Sequence, residues 1–463
     1  MKKRLLALLL LMLLTAVNPA SAHVKWFSNF SFADVPQTIG EVLTPTFLVL
    51  GVLSAVALSV LVVIDRFLDG QNWFQRLEDW FENRQGYSRL VLRIGLGATL
   101  LMAWQAQALL VPRLSYDAGW VGWFQFLLIF LLFFDRTVMF AAFGTLLLYL
   151  LGIFRYGWFY MLDYTLFIGV AYYLIVGQFR SATVRGTAIP ALYFTTGFSL
   201  IWVGLEKIFY PQWGLYILQQ NPQLTLGFPI EFFLVAAAFI ELVLGYLLII
   251  GLLERPLALV VTLVFFTTTT IFGRVEVIGH TIIHAALIVF LLEGPGDIYK
   301  APIAFHRRTP LRMAFAGVNF LLLIGLLFLP YRWGAQLTYE HAVAEALADA
   351  EQTVAYELLE VGVPEVDFEV TFSPSTSWLL NIDAETFEFV APEDADEVVV
   401  GEGHAYLYVD EQLVGIVYED RYQLRNLADG SYEMTVTLHA NDGSVYTVDG
   451  EPISATKTVD LTR

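Results

Sequence analysis

Ten apolar runs occupy the first 330 residues of this chain, at about 42–64, 90–111, 119–134, 137–153, 158–176, 188–209, 229–250, 256–272, 276–293 and 311–329. As helices, most of them match a hydrocarbon layer about 30 Å thick. Lipid offers the backbone no hydrogen-bond partners, so a chain with this many such runs is expected to form a polytopic α-helical bundle. Composition agrees, with 57% hydrophobic and 15% charged residues. The absence of cysteine excludes disulfides, thiolate metal sites and iron–sulfur clusters carried by this chain.

Charge is distributed unevenly. Residues 331–463 hold 27 acidic and 5 basic side chains, a balance of −22, whereas residues 1–330 hold 17 and 21, a balance of +4. A tail this acidic argues against nucleic acid and against an anionic lipid surface as its partner. Arg66, Arg76, Arg84 and Arg89 follow the first run, Arg180 and Arg185 the fifth, and Lys300, Arg307, Arg308 and Arg312 the ninth. These loops fall on one side, which the positive-inside rule makes cytoplasmic. The expected location is therefore a bacterial inner membrane, crossed ten times, with both mature termini extracytoplasmic.

The amino terminus supports that orientation independently. Lys2, Lys3 and Arg4 precede an apolar stretch from Leu5 to Val17 and a small-residue site at Ala20-Ser21-Ala22, the three parts of a secretory signal over residues 1–22. Cleavage there makes His23 the first residue of an extracytoplasmic segment, 23–41. An N-terminal histidine offers its α-amine and a ring nitrogen together, the donor pair of a copper-binding brace. The brace needs a second histidine, for which His404 and His439 are the candidates.

Asp135-Arg136 and Arg155 recur 119 residues later as Glu254-Arg255 and Arg274, while Gln107 and Pro112 align at a different offset with Glu206 and Pro211. The chain thus reads as two four-helix units, 87–177 and 187–297, flanked by single helices at 42–64 and 311–329. Four spans per copy is an even number, so the repeats are parallel. The copies differ chemically. Met161 and Thr165 stand where the second copy has His280 and His284.

The second unit carries Gly204-Leu205-Glu206-Lys207-Ile208-Phe209-Tyr210-Pro211, then Glu241-Leu242-Val243-Leu244-Gly245 running to Glu254-Arg255, and Gly294-Pro295-Gly296-Asp297 after its last helix. In these motifs and their order it resembles the DoxX family of small four-helix membrane proteins. The resemblance covers about 110 residues, or twice that if the first copy is a decayed duplicate. Relatives in that family include the small subunit of thiosulfate:quinone oxidoreductase and components of membrane redox complexes, so it implies a quinone and a soluble or membrane redox subunit as partners, besides the bilayer.

The residues suggest where such chemistry would sit. Glu276, His280 and His284 lie four apart and form one stripe on a helix. Ionisable groups within a span are a functional-site hypothesis by default. Glu241 lies mid-span, where an unpaired acid costs about 2.5–3.5 kcal/mol to insert. His280, His284 and Glu241 are therefore the candidate catalytic groups, and Glu206, Lys207, Arg274 and Glu276 the candidate cofactor-binding groups. Against this, charges at span ends are often interfacial anchors, and intramembrane histidines often bond neighbouring helices. Asp163 is a buried acid to which no role attaches.

The tail changes period. Residues 340–360 read as an acidic amphipathic helix, and from Val366 alternating runs separated by Asp429-Gly430, Asn441-Asp442-Gly443 and Asp449-Gly450 predict an all-β sandwich over 366–463. Gly401-Glu402-Gly403-His404-Ala405-Tyr406-Leu407-Tyr408-Val409 resembles a periplasmic immunoglobulin-like β domain. Tyr406 and Gly443 replace two histidines of that domain's pattern. The leading expectation is an inner-membrane, quinone-linked or redox-complex subunit with a periplasm-facing intramembrane pocket, at most part of an oxidoreductase. A copper-handling membrane protein using His23 with His404 or His439, and a structural assembly subunit, are the alternatives.

Overall fold

The computed structural model describes residues 24–116, 118–296, 298, 300–355, 363–373, 377–390, 398–424, 427 and 429–462. The chain divides into two compact units. One contains residues 24–26, 45–206 and 235–327; the other contains 27–44, 207–234 and 328–462.

The helices are α1 (Pro45–Asp69), α2 (Asn72–Glu82), α3 (Ser88–Gln105), α4 (Gly119–Leu131), α5 (Val138–Tyr156), α6 (Leu166–Val176), α7 (Ala188–Phe209), α8 (Pro211–Gln220), α9 (Ile230–Ile250), α10 (Glu254–Phe272), α11 (Arg274–Glu293) and α12 (Thr309–Ala350). Among the described residues, seven helical segments are long and apolar enough to cross a membrane. The runs at 90–111, 119–134 and 158–176 fall outside the seven. α3 and α4 are shorter than those runs, and the third run is broken. Its one-turn pieces, Trp158–Met161 and Leu162–Tyr164, meet α6 at a 62° bend, and counting that pair as one span gives eight.

In the first unit α11 packs along α3 and α10, α4 along α3, and α5 along α6. Small residues set these approaches. A Cβ on Gly95 would lie 2.2 Å from that of Ala285. Gly197 on α7 and Gly245 on α9 face each other so closely that a Cβ on either would fall within 2.5 Å of the other's carbonyl oxygen. In lipid, where apolar burial drives no association between helices, such backbone approach supplies the packing energy. α1 buries Phe47, Gly51, Ala55, Leu58 and Val62 at helical spacing and exposes Leu48, Val52 and Val56. An apolar outer face of this kind suits lipid contact.

The second unit is built on eleven strands: β1 (Thr353–Ala355), β2 (Glu365–Ser373), β3 (Ser377–Glu385), β4 (Glu388–Phe389), β5 (Glu402–Val409), β6 (Gln412–Val417), β7 (Arg421–Leu424), β8 (Gly430–His439), β9 (Val445–Val448), β10 (Glu451–Pro452) and β11 (Ser454–Leu461). One sheet runs β1-β9-β8-β5-β4, with β10 on β9, β11 on β8 and β6 on β5; the other runs β2-β3-β7. Phe368, Leu380 and Ile382 of the small sheet share one core with Leu407, Val436, Leu438 and Tyr446 of the large one. The tail is thus a strand-rich β domain, as its period-two patterning predicts.

Its turns follow local chemistry. Asp449 and Gly450 both have positive φ, 52° and 85°, and join Val448 to Glu451 in register. That is the backbone of a two-residue hairpin turn matched to strand twist. The acidic helix expected over 340–360 is instead the end of α12. It stops at Ala350, and Thr353–Ala355 pairs in parallel with Val445–Thr447, because the β9 edge takes up that backbone.

Candidate functional site

The break in the helix over 158–176 has a consequence for charge. The bend at Tyr164–Leu166 accompanies an Asp163 set inside the bundle with 2% of its surface exposed. Lys25 meets it there. The Lys25 Nζ lies 2.7 Å from Asp163 Oδ2 and 2.5 Å from Glu206 Oε2, and 4.5 Å from the centre of the Tyr160 ring. All three charged side chains are buried. A lone buried carboxylate is prohibitive in this setting, and an ammonium shared between two of them offsets much of that cost.

The next residue extends the arrangement to α11. Trp26 donates from Nε1 to the Tyr164 hydroxyl at 3.1 Å, and its ring lies 5.1 Å from the His280 imidazole. Only a glycine admits it, since a Cβ on Gly279 would stand 1.9 Å from the indole. His280 in turn pairs through Nδ1 with Glu276 Oε2, which also accepts from Thr268 Oγ1 at 3.4 Å. Phe265 packs 4.3 Å from the His280 ring. A cavity lies among these groups. Its walls include Asp163, Glu241 and His280, with Tyr164, Thr196 and Ser199. The space open to water centres is about 30 Å³, enough for one or two waters at about 10–15 Å³ each.

The expected site residues therefore separate. Glu241 and His280 share the cavity. Glu276 reaches it through His280, and Glu206 is tied to it through Lys25 and Asp163. His284 lies outside the lining among the described residues and packs against Phe266 at 4.8 Å. Arg274 is exposed at the start of α11. Lys207 is buried and belongs to the second unit. Nothing in the sequence marks Lys25, Trp26, Tyr160, Tyr164 or Ser199 as part of this site. Only the cost of an unpartnered Asp163 hinted at a missing cation.

In the β domain His404 and His439 are directly opposed on β5 and β8, their rings 6.1 Å apart and nearly parallel. Both are buried, and Tyr406 stacks on His439 at 3.7 Å. The His439 Nδ1 donates to the Gly443 carbonyl at 2.9 Å, which leaves Nε2 to accept from the Thr437 hydroxyl at 2.7 Å. A neutral imidazole is thus satisfied at both nitrogens, with no lone pair left for a metal. Burial pushes His439 down to about 4 and, together with His439 beside it, pushes His404 down to about 3. Among the described residues no three of His, Asp or Glu are grouped to hold a metal ion. His23 and the signal segment expected over 1–22 lie outside the described residues.

Residues 193–274 match the family model DoxX. The matched stretch takes in Glu206, Lys207, Glu241 and Arg274 and ends before Glu276, His280 and His284. No curated protein and no solved structure matches the chain.

Proposed function

We propose that this membrane protein with a DoxX domain is the proton-handling subunit of a quinone-linked redox complex. The observation that carries the reading is a small, mainly apolar cavity onto which Asp163, Glu241 and His280 converge inside a bundle of apolar helices. Ionisable groups at such depth are costly and mark proton or substrate paths. Imidazole and carboxylate exchange protons near neutral pH, and one or two waters span the gap between groups not in contact. A quinone ring asks for a site of about 300–1,000 Å³, so in this reading the quinone meets the bundle at its margin. Two protons reach it by way of the cavity, and two electrons come from a partner redox subunit. The complex sits in a bacterial inner membrane with the β domain outside, a placement supported by the basic loops and the signal-like amino terminus.

Purified protein should retain a quinone extractable into organic solvent. Glu241→Gln and His280→Ala should each lower quinone reduction in isolated membranes by a factor on the order of 100, the scale of a lost proton-transfer group. Full activity in both variants would remove the site from the reaction. Quinone-free protein with unchanged membrane activity would remove the quinone.

A further inference from the structure

Helix α2 lies between α1, which ends at Asp69, and α3, which begins at Ser88. Its eleven residues, about 16 Å of helix, are strongly amphipathic in an unusual way. Phe74 is buried against the bundle, whereas Trp73, Leu77 and Trp80 project outward, 49%, 38% and 50% exposed. These three are spaced four and three apart and so form one stripe. The Arg84 guanidinium caps it, 3.7 Å from the centre of the Trp80 ring. Asp79 falls on a different face.

The face turned toward the bundle is held by charge. The Arg255 Nη1 lies 3.2 Å from Glu78 Oε1, and its Nη2 lies 3.7 Å from Glu82 Oε1. The same guanidinium donates from Nε to the Leu291 carbonyl at 2.9 Å, and Gln85 donates to the Glu293 carbonyl at 3.4 Å. So α2 and the turn after it grip the C-terminal end of α11, the helix that carries His280.

We infer that α2 lies flat in the membrane interface, with Trp73, Leu77 and Trp80 sunk at the boundary between lipid headgroups and acyl chains. The bilayer is the occupant because α2 is tethered at both ends to helices whose outward faces are apolar, with Val60 and Val63 exposed on α1 and Leu90 and Ile94 on α3. A stripe of two indoles and a leucine, rimmed by an arginine, has the chemistry of that boundary, where tryptophan gathers. Glu78, Asp79 and Glu82 balance the nearby arginines, so attraction to anionic lipid contributes little and apolar insertion does the holding. Through Arg255 the depth of α2 then sets the depth of α11.

The chain has no cysteine, so one engineered thiol can be labelled in the full-length protein. Spin labels on Leu77→Cys and, separately, on Asp79→Cys would be read in phosphatidylcholine nanodiscs for collision with oxygen and with a water-soluble nickel chelate. The expected result is an oxygen collision rate several-fold above that of the chelate at position 77, and the reverse order at position 79. Chelate-dominated collisions at both positions would place the stripe in water and overturn the inference. A label at 77 shielded from both reagents would show that protein covers the stripe, and would overturn it equally.

Discussion

Lys25 is the residue on which the polar interior depends. It neutralises one of two carboxylates that apolar helices surround, and its own burial is tolerable only because they are there. Lys25→Met should destabilise the purified protein by about 3–5 kcal/mol, the cost of leaving one side of a buried pair uncompensated. Lys25→Met combined with Asp163→Asn and Glu206→Gln should recover most of that loss. Thermal unfolding in detergent would show it, and equal melting points for the single and triple variants would contradict the assignment. In the β domain the sign of the pH dependence follows from the histidines. Their folded values, about 3 and about 4, lie below the ordinary 6.5, so the unfolded chain takes up protons first. The neutral pair is fully favourable above about 6.5, and its contribution is lost as pH falls toward 4, by about 3 kcal/mol for His439 alone. Asp34, whose carboxyl burial lifts to about 6 against donation from Trp213 and Tyr422, acts in the opposite direction. Its penalty is absent below about 3.8 and complete above about 6. Melting followed from pH 7.5 to 4.5 should therefore show a net fall that His404→Gln/His439→Gln reduces.

At the scale of elements, backbone approach between helices matters more than their hydropathy. Gly245→Ala puts a Cβ 2.4 Å from the Gly197 carbonyl oxygen, a backbone atom that cannot step aside. It should cost about 1–3 kcal/mol as overpacking. Gly325→Ala on α12 meets nothing within 4 Å and should be neutral or slightly favourable. Equal melting points for the two variants would deny the close α7–α9 crossing. The bend before α6 is the other informative element. Asp163 was visible as a misplaced acid, but hydropathy alone reads 158–176 as one continuous run. At the break, Tyr160 and Asp163 meet Lys25, and Tyr164 meets Trp26.

At the scale of the whole molecule, the basic loops predict an orientation that can be tested. Alkaline phosphatase, active only after export, should be active when fused after Arg463 and inactive when fused in the loop at Arg307. The opposite pattern would invert the topology. The membrane class, the strand-rich tail, the Asp449-Gly450 turn and the DoxX stretch were all legible in the residues, since each rests on a local period, a local turn or a short motif. The meeting of Lys25, Asp163 and Glu206 was not. Lys25 and Asp163 are 138 residues apart, and the cost of burying a charge demands a partner without naming one. His280 and Glu241 stand out in the sequence as ionisable groups in apolar runs, but only the packed helices show that they share a cavity while His284 faces Phe266. Periodicity assigns a side chain to a face. Which faces meet is decided by the close packing of all the helices together, and that is information no single stretch of the chain contains.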